Sequence, residues 1–231
     1  MSQQPLKLLS SMAMREALAE LVEQYQAQTG ELVVREAAGG VDVAKRVQAG
    51  EALDVVVLAN NAIDRLIAEH ALLAESRVDL ARSGIAVAVR AGAPRADISD
   101  EAAVRRAVSA ARTLSYSTGP SGVYLEKLFE RWGILEQIRD RIVVPPPGVP
   151  VGSLVASGAA ELGFQQLSEL LHLPGIQVLG ALPAAIQSVT VFSGGIGARC
   201  SQPARARALL EFMASAETAP LKQRHGMENA L

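Results

Sequence analysis

The sequence predicts an α/β fold built on a parallel, doubly wound sheet, and three observations carry this prediction. Short apolar segments alternate with amphipathic ones through roughly the first eighty residues. Nearly every predicted strand ends in glycine or a small polar residue, as is typical of strands that turn directly into a helix. Aromatic residues make up only 3% of the chain, so the core must be Ala, Val, Leu and Ile, the usual content of buried parallel strands.

The period of the apolar residues places each element in order. Leu18, Leu21, Val22 and Tyr25 repeat at three and four, which predicts a helix, whereas a run such as DVVVLA predicts a strand buried on both faces. The predicted strands are 6–9, 32–35, 54–59, 83–90, 114–116, 142–144, 162–165, 176–179 and 188–192. The predicted helices are 14–28, 41–49, 62–69, 100–111, 123–132, 151–156 and 203–215, with a last helix that stops near Gly226 and a glycine-rich turn at Gly194 and Gly195.

Composition excludes several classes of function. With 231 residues the chain has room for one large domain or two modest lobes, and its net charge of -2 argues against a nucleic-acid surface. The single cysteine, Cys200, allows no internal disulfide and no cysteine-based zinc site, and the scattered histidines show no ligand spacing. We therefore expect no metal and no cofactor. No run of eighteen apolar residues occurs, so membrane insertion is not expected.

The compartment depends on the start of the chain. The first residues have one lysine and no long apolar segment before Arg15, so no signal peptide is recognisable. As the sequence stands we expect a cytoplasmic protein; if a signal peptide was removed, the same chain is periplasmic.

The stretch TLSYSTGPSGVYLEKLFERW, residues 113–132, is the most informative local pattern. A short strand runs into a turn of serine, threonine and glycine, and then into a helix. The first N–H groups of a helix have no partner within it and carry partial positive charge, so hydroxyls and glycines there favour an anion. The simpler alternative is an ordinary helix N-cap.

Other strand ends carry the same kind of residue. In open α/β sheets, ligands bind beyond the carboxyl ends of the strands. We therefore take the small neutral donors at these ends, with one nearby arginine, as one ligand site for a small anion. The candidate ligand-binding residues are Ser10, Ser11, Met12, Arg15, Gly39, Gly40, Asn60, Ser117, Thr118, Ser121, Gly122, Gly148, Gln165 and Gln166.

Familiar catalytic motifs do not account for these turns. Neither GxGxxG nor GxxxxGK[ST] follows a strand, which argues against a nucleotide site. No GxSxG elbow occurs, and no histidine lies near the serines in the sequence, so a Ser-His-acid hydrolase has little support.

Four blocks, LKLLSSMAMREALAEL, AAGGVDVAKRVQAGEALDVVVLAN, YSTGPSGVYLEKLFERWGI and GAAELGFQQLSELL, resemble the type II periplasmic binding proteins, and within them relatives of the molybdate-binding protein of ABC transporters. The resemblance covers nearly the whole chain. It implies two doubly wound α/β lobes joined by hinge strands, with lobe 1 at 1–82 plus 188–231 and lobe 2 at 83–187. It also implies a monomer that closes on a small anion between its lobes, with an ABC permease as a candidate partner.

Position by position, the resemblance argues against molybdate. Where the molybdate proteins have hydroxyl donors, this chain has Ala13, Gly40 and Gln166, while the backbone donors around Ser121 and Gly148 carry over. Fewer hydroxyls favour a different anion, and the amides of Gln165 and Gln166 are suited to a carboxylate.

A subset of this family resembles aconitate isomerase and implies an enzyme instead of a transport protein. Proton transfer on a tricarboxylate needs a base, and the nearest candidates in sequence are Glu36, Asp42, Tyr116 and Tyr124. A solute-binding protein is the first hypothesis, with such an isomerase as the alternative. A ligand-sensing module is a third, although no DNA-binding segment accompanies it.

Overall fold

The computed structural model describes residues 4–146 and 148–230, and its α/β class confirms the prediction. The strands within these residues are β1 (Leu6–Ser11), β2 (Val33–Ala38), β3 (Val55–Ala59), β4 (Val78–Arg90), β5 (Leu114–Tyr116), β6 (Leu162–Gln166), β7 (Ile176–Ala181), β8 (Val189–Ile196) and β9 (Glu228–Asn229). The helices are α1 (Arg15–Thr29), α2 (Gly40–Gln48), α3 (Asn60–Ala68), α4 (Glu101–Ala110), α5 (Pro120–Arg131), α6 (Leu135–Ile138), α7 (Val151–Ser157), α8 (Leu167–Leu170), α9 (Pro203–Ala214) and α10 (Ala219–Arg224).

Contacts along the chain define two compact units. Unit 1 comprises the residues up to Ser83 together with those from Val191 onward, and unit 2 is Gly84–Thr190. The chain therefore passes from one unit to the other twice, once within β4 and once within β8. No helix in the described part of the chain is both long and apolar enough to cross a bilayer.

The sheet of unit 1 has the order β2-β1-β3-β8-β4, and β9 pairs with the first part of β4. β1 is parallel to both β2 and β3, and this register places Ser11 opposite Ala38 and Ser10 opposite Val57. The carboxyl ends of these three strands consequently lie at the same edge of the sheet, where β1 leads to a short 3-10 turn, Met12–Met14, and β2 and β3 lead to α2 and α3.

Helices cover both faces of this sheet, because alternate residues of its strands are apolar on both sides. Leu8 and Val57 point into one core with α1 and α9, whereas Leu9 and Val56 point into a second core with α2 and α3. All five residues of β3 are buried. This packing fixes the strand ends, and with them the turns that carry the predicted donors.

Unit 2 repeats the design with the strand order β7-β4-β6-β5. β5 and β6 are parallel, with Tyr116 opposite Phe164, so these two strands also end at one edge. Phe129 of α5 lies at the centre of the core, in edge-on contact with Phe164 and packed against Trp132.

Three details of the predicted elements were wrong. The sheets are mixed, since β8 runs antiparallel to β3 and β4 antiparallel to β6. Residues 142–144 form a single bridge, Ile142 to Leu114, because the prolines that follow cannot donate to a ladder. Gly194 and Gly195 lie inside β8, where a Cβ would come within 2.2 Å of Leu210 and 2.7 Å of Leu72 respectively, so they are glycines for close packing and not for a turn.

Candidate functional site

In unit 1, the strongest sign of a ligand is the side chain of Ser11 at the end of β1. Ser10 and Ser11 are 2% and 8% exposed. The Ser11 hydroxyl has no hydrogen-bond partner among the described residues. Leaving a buried hydroxyl unpaired costs about 1 to 3 kcal/mol, which a bound acceptor would recover.

The start of α2 lies next to this hydroxyl. A Cβ built on Gly40 would be 3.8 Å from the Cβ of Ser11, so the two residues are in contact range. Gly39 occupies the N-cap position of α2 and no side chain caps the helix there. The first N–H groups of α2 and the Ser11 hydroxyl are therefore donors at the ends of two neighbouring strands, as an anion requires.

Two other predicted residues of unit 1, Arg15 and Asn60, have local partners. Arg15 is exposed and forms an ion pair with Glu16 at 2.7 Å. The side-chain oxygen of Asn60 accepts a hydrogen bond from the Asn61 N–H at 2.8 Å. Met12 is half-buried and opens the 3-10 turn after β1.

In unit 2, Ser117 and Ser121 form a hydroxyl pair at the start of α5. Their Oγ atoms are 2.9 Å apart, and Ser117 Oγ also accepts from the Gly119 N–H at 3.3 Å. Two hydroxyls that share one hydrogen bond retain one hydrogen, which can be donated to a ligand. No side chain caps α5, and Thr118 is exposed beside the pair.

Gly122 is fixed by the same turn. A Cβ at this position would lie 1.6 Å from the Ser117 carbonyl oxygen, so the close approach of helix and turn is open only to glycine. Gly148 lies in an exposed turn with a φ of +77°. The residue before it, Pro147, lies outside the described residues.

The two glutamines at the end of β6 serve mainly within unit 2. The side-chain oxygen of Gln165 accepts from the Val151 N–H at 3.0 Å and so caps α7, and its nitrogen donates to Glu169 at 2.7 Å. Gln166 donates to the Thr190 hydroxyl at 2.8 Å. Their amides hold the strand end in place, a role that the sequence pattern did not reveal.

Sequence reasoning missed Ser168. This residue follows β6 in α8, is 6% exposed, and its hydroxyl has no partner among the described residues. A serine two positions after a strand that ends in glutamine was the available signal. Within residues 4–146 and 148–230, no group of three His, Cys, Asp or Glu side chains is arranged to hold a metal ion.

Three of the four predicted bases are occupied. Arg46 binds both carboxylate oxygens of Glu36. The Tyr116 hydroxyl donates to Glu126 at 3.2 Å, and burial together with that carboxylate raises the pKa of Tyr116 well above its usual value.

Tyr124 is the third occupied candidate, since its hydroxyl donates to the Ile186 carbonyl at 2.9 Å.

Asp42 differs from these three candidates. Its Oδ2 atom lies 3.2 Å from the position of a Cβ built on Gly39, and its carboxylate forms no hydrogen bond or ion pair with the described residues.

Comparison with known proteins gives one relative at high coverage. The chain is 37% identical over 231 residues to an aconitate isomerase from a Pseudomonas species, in an alignment that covers 96% of this chain and 87% of that protein.

Solved structures share the fold at lower identity. The periplasmic molybdate-binding protein of Azotobacter vinelandii superposes with a TM-score of 0.80 at 23% identity, covering 96% of this chain and 98% of that one. The sulfate-binding protein of Mycobacterium tuberculosis gives 0.79 at 14% identity, covering 99% and 88%. The family model for bacterial extracellular solute-binding proteins matches residues 6–228. The chain therefore belongs to the bacterial extracellular solute-binding protein family and has its type II fold.

Proposed function

We propose that this protein binds a small polycarboxylate through uncharged strand-end donors and isomerises it by proton transfer. The observation that carries the proposal is the unpaired Ser11 hydroxyl beside the uncapped start of α2, a set of uncharged donors suited to one carboxylate group. The aconitate isomerase relative supports the reaction, since aconitate is an unsaturated tricarboxylate.

Uncharged donors lie at two helix starts. In unit 1 they are the Ser11 hydroxyl and the first N–H groups of α2, and in unit 2 they are the hydroxyl pair of Ser117 and Ser121 at the start of α5. A helix N-terminus stabilises a negative charge without a cation. Each of these two sets of donors is therefore suited to a carboxylate group.

A tetrahedral oxyanion is the poorer ligand on the same grounds. By its resemblance to the molybdate proteins, the chain has Ala13 where they carry a hydroxyl. Gly40 offers only its N–H, and the Gln166 amide donates to Thr190. Each good hydrogen bond missing from a desolvated dianion costs roughly 1.5 to 3 kcal/mol. We expect molybdate and sulfate to bind at least a hundredfold more weakly than aconitate.

Two measurements on one preparation test the proposal. Calorimetry compares cis-aconitate, trans-aconitate, citrate, molybdate and sulfate, and chromatography follows the interconversion of the two aconitates. The proposal predicts tricarboxylate binding and interconversion. Submicromolar molybdate binding without interconversion would contradict it.

The second candidate is a solute-binding protein that delivers an anion to an ABC permease. The match to the extracellular solute-binding family over residues 6–228 favours it, because the same donors serve transport without any base. Tight binding of a carboxylate that the protein leaves unchanged in the same assay would establish this alternative.

A further inference from the structure

We infer that the carboxylate of Asp42 is the general base of this reaction and removes a proton from the methylene carbon of a ligand held at Ser11 and Gly40. The inference rests on the proposed function and goes further by naming the catalytic residue.

Asp42 lies in the first turn of α2, beside the proposed donors. It is the third residue of α2, and its side chain folds back toward the N-cap, with Oδ2 3.2 Å from the position of a Cβ on Gly39. Gly40, the first residue of α2, lies against Ser11 at the end of the neighbouring strand β1. We therefore place one small ligand against the Ser11 hydroxyl, the first N–H groups of α2 and the Asp42 carboxylate.

The Asp42 carboxylate is a free acceptor. It is exposed and forms no hydrogen bond or ion pair with the described residues, whereas Arg46 occupies both oxygens of Glu36, the other carboxylate flanking this turn. A base must have an open lone pair within reach of the proton that it removes. Only Asp42 meets this condition among the four candidates named from the sequence.

The charge of Asp42 favours proton removal over simple binding. A free carboxylate beside an anion-binding turn repels a charged ligand, so it works against simple binding. It suits proton removal, because the negative charge passes from Asp42 to the ligand as the reaction proceeds. The Ser11 hydroxyl and the first N–H groups of α2 then stabilise the charge that develops on the ligand's carboxylate oxygens.

The step balances without another reactant. A C–H bond of the methylene group breaks and an O–H bond forms on Asp42. The electron pair of the C–H bond forms a new C=C bond, and the old double bond's electrons move onto the neighbouring carboxylate. Asp42 then returns a proton to the former alkene carbon, which shifts the double bond by one position and restores the carboxylate. No oxidation or reduction occurs.

The test compares Asp42→Asn with Glu36→Gln, which alters the other carboxylate flanking the turn. Both substitutions keep the side-chain shape and remove the charge. We expect Asp42→Asn to lower kcat for aconitate interconversion by at least about a hundredfold while the Kd for aconitate stays equal or falls. Glu36→Gln should retain kcat within about threefold.

A second variant separates chemistry from structure. In Asp42→Ala, added formate supplies a carboxylate to the vacated space and should restore part of kcat without changing Tm. Asp42→Asn with nearly full activity, or Asp42→Ala with no formate rescue, would overturn the assignment of Asp42 alone. Absence of interconversion by the unmodified protein would instead remove the proposed function, and the assignment with it.

Discussion

Lys222 of α10 gives a stability prediction that follows from burial alone. Its side chain is 0% exposed, and its ammonium donates to the Asn229 side chain at 2.6 Å. Desolvation lowers the pKa of Lys222 from 10.5 to about 8. Because burial disfavours the charged form, protonated Lys222 destabilises the fold, and at pH 7 that cost is present in full.

The sign of the pH dependence follows from proton binding. Between about pH 8 and 10.5 the unfolded chain holds a proton on this lysine that the folded chain has lost. Stability therefore rises with pH across this window. Each pH unit is worth about 1.4 kcal/mol, and the pKa differs by about 2.5 units, so the full cost is at most about 3.5 kcal/mol.

Lys222→Met removes the charge and keeps the apolar stem. Loss of the hydrogen bond to Asn229 offsets about 1 kcal/mol of this stabilisation, which leaves a net increase in the free energy of unfolding of roughly 1 to 2 kcal/mol at pH 7. For a protein of this size, that corresponds to a rise in Tm of about 2 to 8 °C. Calorimetric scans at pH 7, 8.5 and 10 measure the effect.

Lys127→Met is the matched control, since Lys127 is exposed on α5. We expect the advantage of Lys222→Met to shrink as pH rises, while the control shows no such trend. The reasoning would be refuted if Lys222→Met were less stable than the unmodified protein at pH 7 and if Tm changed with pH in the same way in both proteins.

Three further predictions concern the turns and the cysteine. Ser121→Ala should weaken aconitate binding by about 1 kcal/mol or more in calorimetry, because a donor is lost. The control Glu136→Ala, at an exposed ion pair, should leave the affinity for aconitate unchanged. Unchanged affinity in Ser121→Ala would count against a role of the hydroxyl pair in binding. Gly122→Ala should lower Tm and abolish binding, because its Cβ would overlap the Ser117 carbonyl oxygen, and a normal Tm would show that the turn gives way. The Cys200 thiol donates to Asp54, and burial raises the pKa of Cys200 to about 11. Thiol reagents at pH 7 to 8 should therefore leave Cys200 unmodified unless the protein is unfolded. Rapid labelling of the native protein would contradict this prediction.

The sequence predicted most of the elements because the fold depends on local patterns. The buried run of β3 and the three-and-four spacing in α1 each specify their own structure. β8 was misread at Gly194 because a glycine pair has the same local signature in a turn and in a strand. What decides between them is Leu210, a neighbour from a distant helix that only the tertiary structure brings into contact.

The candidate site was predictable to a lesser degree. Residue type and position led us to propose Ser11 and Gly40, since small donors at strand ends are visible in the sequence. Which side chains are already bonded is not visible there. Glu36 and Asp42 flank the same turn, and the sequence does not distinguish them. In the structure Arg46 binds the Glu36 carboxylate and leaves the Asp42 carboxylate free.

The most direct test of proton transfer is incubation of the protein with cis-aconitate in D2O, followed by proton NMR. Because Asp42 is exposed and exchanges its proton with solvent, the account predicts trans-aconitate with deuterium on carbon, together with deuterium in the recovered cis-aconitate. No conversion, or trans-aconitate free of carbon-bound deuterium, would contradict it.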